Sequence, residues 1–190
     1  MQCIHRIGYS LVVAGLLLGA GCQKQPAATG ASAAPARSNA VPAAGHLDHA
    51  QPKLPSLKLY VGTQEIDGEI ARTATEIQTG MMFRTNMTST EGMLFVFPAP
   101  FKVSFYMRNT KVALSCAYID PDGVVQELHD LQPLDETPVP AESGNIQFVL
   151  EMKQGWFKEH GITSGAVIRS QQGALRDTDW RTLQPWRRPQ

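Results

Sequence analysis

Short apolar runs separated by turn residues are the feature of this sequence that most restricts its fold. LKLYVG (57–62) and QEIDGEIA (64–71) alternate apolar and polar residues over part of their length, which is typical of strands. The run GMLFVF (92–97) is continuously apolar and predicts a buried strand. Further strands are predicted at FKVSFYM (101–107), KVALSCAYID (111–120), GVVQELHDL (123–131), NIQFVLEM (145–152) and 166–169. Because strands dominate, we expect an α+β fold of mostly antiparallel β-sheet, a small barrel or sandwich, with one or two short helices.

Turn and helix signals lie between these runs. PAP (98–100) predicts a turn, and DPDG (120–123) predicts a hairpin, because Pro sets its first central angle and Gly accepts the left-handed exit. Thr73 and Glu76 are spaced as a capping box, so a short helix is expected to follow them. A second short helix is expected at 154–160.

The N-terminus predicts export and lipid attachment. Arg6 precedes an apolar stretch, 7–20, that has signal-peptide length and falls short of the about 20 residues that span a membrane. The string LLLGAGC, which ends at Cys22, resembles the lipobox of bacterial lipoprotein precursors, although Gly19 stands where Leu is usual. We therefore expect cleavage before Cys22 and lipid on that cysteine; an ordinary cleaved signal peptide is the alternative. Gln23, by analogy with Gram-negative sorting, favours the periplasmic face of the outer membrane.

The cysteine and charge counts argue against an intramolecular disulfide and against a nucleic-acid partner. Cleavage would remove Cys3 and lipid would occupy Cys22, so Cys116 alone stays free and no intramolecular disulfide can form. The 17 basic residues fall to 16 (17 − 1) after cleavage and the 17 acidic residues remain. This near-neutral charge argues against a nucleic-acid partner, which calls for a basic excess.

The segment after the lipidation site has the composition of a tether. Ten of the 33 residues in 23–55 are Ala and five are Pro. With few large apolar side chains to offset its ordering entropy, 22–55 is predicted to be disordered. His46 and His49 lie in this segment, and we expect no metal site there.

The remaining chain divides into one domain and a tail. Residues 56–176 are enough for a single hydrophobic core. The tail, 177–190, is basic and carries Trp180 and Trp186. We consider two roles for it, contact with an anionic envelope surface and docking of one Trp on the domain.

Five segments resemble one known family. They are GMMFR (80–84), EGMLFVF (91–97), FYMRNT (105–110), ALSCAYIDPDG (113–123) and FVLEMKQG (148–155). Their order and spacing resemble the Domain of Unknown Function 192 family across essentially the whole domain. The resemblance implies a compact, mostly β domain that is often exported and has no settled activity. Two positions depart from the family pattern: Tyr106 stands where Trp is common, and Ser115 where Asp is frequent.

Three polar residues at element ends are candidate ligand-binding residues. Arg84 offers a planar fork to a carboxylate or phosphate, and Asn109 and Thr110 add neutral hydrogen bonds. Together they suit a small anionic or sugar-like ligand. The structural alternative is that Arg84 binds backbone carbonyls after the helix while Asn109 and Thr110 form a turn.

Two carboxylates within the matched segments are candidate catalytic groups. Glu151 and Asp120 would support glycoside hydrolysis if they lay roughly 5–9 Å apart. Asp120 is also explained by its turn, and Glu151 by pairing with Arg84. We therefore expect a ligand-binding or accessory domain without a cofactor. An envelope hydrolase that acts on a sugar or cell-wall substrate through Glu151 and Arg84 is the alternative.

Four sulfur-containing side chains raise the question of a copper site. Convergence of Met82, Met93, Met107 and Cys116 would suit Cu(I). Methionines in apolar runs usually fill the core, and Cys116 alternates with apolar residues on its strand. We therefore expect a structural role for all four. The sequence leaves the oligomeric state open.

Overall fold

The computed structural model describes residues 45–183, and the statements below concern that part of the chain. The described residues belong to one compact unit. The predicted signal peptide, the lipidation site Cys22, the predicted tether up to residue 44, and the tail from residue 184 with Trp186 lie outside the described residues.

Two β-sheets and two short helices make up the described domain. The elements are β1 (Ser56–Val61), β2 (Gln64–Ala71), α1 (Ala74–Thr79), β3 (Glu91–Phe101), β4 (Ser104–Phe105), β5 (Leu114–Ile119), β6 (Val125–Leu131), β7 (Val139–Pro140), β8 (Ile146–Lys153), α2 (Trp156–Glu159), β9 (Ile168–Ser170), β10 (Gly173–Ala174) and a 3-10 turn, Leu175–Asp177.

The large sheet has the strand order β10-β9-β1-β2-β3-β8-β5-β6, and β4 pairs with β7 separately. Strands β2 and β3 run parallel, whereas the other paired strands run antiparallel. The sheet does not close into a barrel, so the predicted α+β class is confirmed in its sandwich-like form.

Both faces of the large sheet are covered by side chains. One face packs against Trp156 and Phe157 of α2. The other carries Phe95, Cys116 and Tyr118 beneath the remaining loops. Because the central strands are buried on both faces, β3 and β5 have nearly continuous apolar sequences instead of alternating ones.

The local signals for the first helix and the hairpin are confirmed. Thr73 accepts a hydrogen bond from the Glu76 backbone N–H, and the Glu76 carboxylate accepts one from the Thr73 N–H. In the hairpin, Asp120 accepts hydrogen bonds from the backbone N–H groups of Asp122 and Val124, each at 2.9 Å. Gly123 has a φ of 85°, the left-handed conformation expected of it.

The turn predicted at 98–100 is wrong, because β3 runs through both prolines to Phe101. The register between β3 and β8 shifts between Val96 and Phe101. A bulge of this kind tolerates proline, since the local backbone need not donate to the neighbouring strand. The strand predicted over 101–107 is correspondingly reduced to the two residues of β4.

Order begins before residue 56, which corrects the predicted extent of the tether. Gln51 and Leu54 are buried. The Gln51 side-chain amide donates to the carbonyl of Gly80 at 2.8 Å, and the Leu54 N–H donates to the Glu69 carboxylate at 2.8 Å. The Ala- and Pro-rich composition of the segment does not predict these contacts, because their partners lie 15 and 29 residues further along the chain.

The first part of the tail also packs on the domain. The Trp180 ring lies 5.8 Å from the ring of Phe148, measured between centroids. The Arg72 guanidinium donates to the backbone carbonyls of Trp180 and Leu183. This is the docking alternative for the tail, and it extends the domain past residue 176. No helix within 45–183 is long and apolar enough to cross a membrane.

Candidate functional site

A cavity of about 250 Å³ opens between the end of α1, strand β3 and the segment around β4. Most of its wall is apolar or aromatic. The lining residues are Ile77, Gln78, Thr79, Gly80, Met81, Met82, Phe95, Phe97, Phe101, Val103, Ser104, Phe105, Tyr106, Thr110 and Glu151. The volume is below the roughly 300–1,000 Å³ of drug-sized ligand pockets, so the cavity suits only a small molecule.

The Glu151 carboxyl group is the one acidic group on this wall. In the sheet, Glu151 is the register partner of Met93 on β3 and of Cys116 on β5. Its side chain is only 4% exposed, and its Oε2 atom has no hydrogen-bond partner among the described residues. Burial raises the pKa of Glu151 to about 8, against the smaller opposing effect of the Arg84 charge. The group is therefore mainly protonated at neutral pH.

Arg84 is engaged with a different carboxylate. Its two terminal nitrogens donate to the two oxygens of Glu69, at 2.6 and 2.8 Å. The remaining nitrogen, Nε, is buried without a partner in the described part of the chain. Arg84 does not line the cavity. It influences Glu151 through its charge and leaves the wall without a basic residue.

Asn109 and Thr110 occupy different positions relative to the cavity. Asn109 has a left-handed backbone, with φ of 55°, and its carbonyl accepts a hydrogen bond from the Phe83 N–H. This supports the structural alternative, a turn. Thr110 is buried, its hydroxyl donates to the Arg108 carbonyl at 3.2 Å, and it lies on the cavity wall with Glu151.

The aromatic wall was missed from the sequence. Phe95 and Phe105 meet edge to face at 5.0 Å, and Phe97 and Phe101 do so at 4.9 Å. Phe101 is 46% exposed and Tyr106 is 40% exposed. The signal is present in the aromatic residues of GMLFVF and FKVSFYM, which the sequence pattern predicts only as strands.

Ser115 and Asp120 do not belong to this cavity. The Ser115 hydroxyl donates to Asp130 and accepts from the Gly155 N–H at 2.9 Å. Ser115 therefore ties β5 to β6 and to the start of α2, a structural role for the position where the family often has Asp. Both oxygens of Asp120 are engaged in its own hairpin.

The four sulfur-containing candidates are all buried. Met93, Met107 and Cys116 lie in one apolar cluster, and Met82 lies on the cavity wall. Burial raises the pKa of the Cys116 thiol, with the nearby Glu151 charge as a second cause. These positions fit the core-filling interpretation. Within 45–183, no group of three or more His, Cys, Asp and Glu side chains is arranged to hold a metal.

Comparison with known families and structures identifies the domain. The profile of DUF192, described as Uncharacterized ACR, COG1430, matches residues 57–170. The chain belongs to the DUF192 family. The resemblance inferred from the five segments is thereby confirmed.

Two solved structures share the DUF192 fold of this chain. A protein of unknown function from Novosphingobium aromaticivorans DSM 12444 is 33% identical, with a TM-score of 0.60 over 64% of this chain and 89% of that one. A candidate transcription regulator from Sinorhizobium meliloti 1021 is 23% identical, with a TM-score of 0.60 over 63% of this chain and 97% of that one. A comparison with curated proteins found no match.

Four of the five DUF192 segments line the cavity. GMMFR supplies Met81 and Met82, EGMLFVF supplies Phe95 and Phe97, FYMRNT supplies Phe105, Tyr106 and Thr110, and FVLEMKQG supplies Glu151. More than half of the described cavity wall is therefore supplied by the segments that carry the family resemblance.

Proposed function

We propose that this DUF192 domain binds a small organic molecule in the cavity over Glu151. The observation that carries the proposal is the Glu151 carboxyl group, which is buried at a mainly apolar and aromatic wall, with Oε2 lacking a partner among the described residues. A buried polar atom without a partner costs about 1–3 kcal/mol, and a ligand that supplies the missing hydrogen bond would remove that cost. An apolar pocket with a few polar groups is the usual form of a small-molecule site.

The hydrolase alternative has weaker support from the same geometry. Glycoside hydrolysis by the common mechanisms needs two carboxyl groups that flank the bond. Glu151 is the one carboxyl group on the cavity wall within the described residues. Glu69, which like Glu151 is a register partner of Met93, is held by both terminal nitrogens of Arg84. Binding without bond cleavage is therefore the function that we favour.

The proposal includes a location for the domain. The lipobox-like string at Cys22 and the Ala- and Pro-rich segment after it would hold the domain near an envelope membrane. Two or more acyl chains give stable anchoring. The domain would then sample small molecules on the periplasmic face of the outer membrane.

A blocked cavity tests the proposed site. Ser104 lies on the cavity wall and is exposed, so Ser104→Trp should close the entrance without disturbing the core. Ser164→Trp places the same side chain at an exposed position away from the cavity and is the matched control. In a thermal-shift screen of small organic compounds, a ligand at 100 times its Kd should stabilise the wild type and the control by about 2.7 kcal/mol. Equal stabilisation of Ser104→Trp would contradict the proposal.

A further inference from the structure

Resting on that proposed function, we propose that the ligand class is an organic cation, an ammonium group on an apolar or aromatic substituent. Five aromatic side chains and the Glu151 carboxyl group would receive it. The aromatic members are Phe95, Phe97, Phe101, Phe105 and Tyr106.

The charges around the cavity favour a cation over an anion. Among the described residues, Glu151 is the one acidic residue on the wall, and neither Lys nor Arg lines it. Arg84, whose positive charge acts on Glu151, is balanced by the bidentate contact with Glu69. Once Glu151 has released its proton, an ammonium group would meet a carboxylate, whereas an anion would meet no compensating positive charge on the described wall. The sequence-based expectation of an anionic ligand depended on Arg84, which pairs with Glu69 and does not line the cavity.

The aromatic rings supply the second element of a cation site. The faces of aromatic rings attract cations within about 6 Å, and aromatic cages recognise organic ammonium groups. Tyr106 already has such a contact, because the Arg108 guanidinium lies 5.5 Å from its ring centroid. The Arg108 guanidinium is itself paired with the Glu136 carboxylate at 2.9 Å, so its positive charge near the cavity entrance is compensated.

Cation binding would be coupled to the release of a proton from Glu151. The charged and titratable groups that face Glu151 are Arg84, from the loop after α1, and Cys116, from β5. Burial keeps Glu151 protonated in the empty site, and an incoming ammonium group would stabilise its ionised form. Affinity for the cation should therefore rise with pH as Glu151 becomes ionised.

Three probes that share one phenyl group test this inference. They are 2-phenylethylammonium, 2-phenylethanol and phenylacetate, which are cationic, neutral and anionic. The ammonium group has a pKa near that of Lys, about 10.4, and stays protonated from pH 6 to 8. Calorimetric titration of the full chain should show that the cation binds at least about tenfold more tightly than the alcohol at pH 8, with no measurable binding of phenylacetate. Its affinity should rise at least about tenfold between pH 6 and 8.

Two variants make the test specific. Glu151→Gln should abolish the pH dependence and weaken cation binding at pH 8 at least tenfold, whereas Glu142→Gln, at an exposed position, should change neither. Phe101→Leu, at the exposed entrance, should weaken the cation more than the alcohol. If the alcohol or phenylacetate binds as tightly as the cation and Ser104→Trp blocks that binding, the proposed cavity stands and the cation inference is wrong. If no probe binds and no compound distinguishes Ser104→Trp from Ser164→Trp, the proposed function is itself overturned.

Discussion

At the scale of single residues, the two buried glutamates Glu69 and Glu151 differ in their hydrogen-bond partners. Glu69 meets both terminal nitrogens of Arg84 and a backbone N–H, so it is held as a paired carboxylate. Glu151 lacks a partner for Oε2 and has its pKa raised to about 8 by burial. The sequence alone does not distinguish these two glutamates. Only their contacts in the folded domain separate the structural role of Glu69 from the proposed binding role of Glu151.

Glu151 should make folding stability depend on pH. Its folded pKa of about 8 lies above the unfolded value, 4.5. The folded state therefore holds the proton more tightly, and the stability that this contributes is present at low pH and is lost as the pH rises through 8. Chemical denaturation should show that the wild type loses on the order of 3 kcal/mol between pH 5 and 8 relative to Glu151→Gln. Glu142→Gln should follow the wild type, and identical pH profiles for all three proteins would contradict the assignment.

The pair formed by Glu69 and Arg84 should contribute strongly to stability. Both side chains are largely buried, and removal of one partner from a buried pair costs about 3–5 kcal/mol because the other charge is left uncompensated. We expect Glu69→Gln and Arg84→Met each to lower the free energy of unfolding by about 3 kcal/mol, and the double variant to lose less than the sum. The exposed pair Arg108 and Glu136 is the control, with an expected loss below about 1 kcal/mol. Additive losses at Glu69 and Arg84 would refute the coupling.

At the scale of secondary-structure elements, the sequence predicts the features that depend on residues close together in the chain. The capping box, the DPDG hairpin and the positions of β1, β2, β5 and β8 were all predicted. The continuation of β3 through its prolines was not, because it depends on a bulge against β8. The burial of Gln51 and Leu54 was also missed, since their partners lie 15 to 29 residues away.

Gln51 should fix the end of α1, and with it one wall of the cavity. Its amide nitrogen donates to the carbonyls of Gly80 and Glu76, at 2.8 and 3.2 Å. Gln51→Ala leaves these carbonyls without that donor and should cost about 1–3 kcal/mol of unfolding free energy. The Gln64 amide donates to the exposed Thr63 hydroxyl, so Gln64→Ala should cost less than about 0.5 kcal/mol by the same denaturation measurement. Equal losses would mean that the Gln51 contacts do not stabilise the domain.

At the scale of the whole molecule, the sequence identified the family and the presence of one domain, but not the cavity. Three of the four segments that line it lie within 80–110 and the fourth lies at 148–155, and the sheet order brings the two groups together by placing β3 beside β8. Glu151 and Thr110 were candidates on residue type alone. Arg84 was a candidate ligand-binding residue, but its guanidinium pairs with Glu69. The spacing of residues in the sequence does not predict that pairing.

Membrane attachment is the property of the whole molecule that remains a prediction. Cys22→Ser should abolish fatty-acid labelling and release the protein from the membrane fraction, because no thiol would be present at the lipobox-like site. Cys3→Ser should change neither result, since Cys3 lies in the segment expected to be removed. Unchanged labelling and fractionation of Cys22→Ser would refute the predicted anchor.

The central claim, that a small molecule binds over Glu151, is tested most directly by methionine methyl NMR. Met81 and Met82 line the cavity, whereas Met152 is buried in the cluster on the opposite face of the sheet. Addition of a compound that stabilises the protein should shift the methyl resonances of Met81 and Met82 and leave Met152 unchanged, and Ser104→Trp should abolish the shifts. Shifts confined to other methionines, or the same shifts in Ser104→Trp, would contradict the claim.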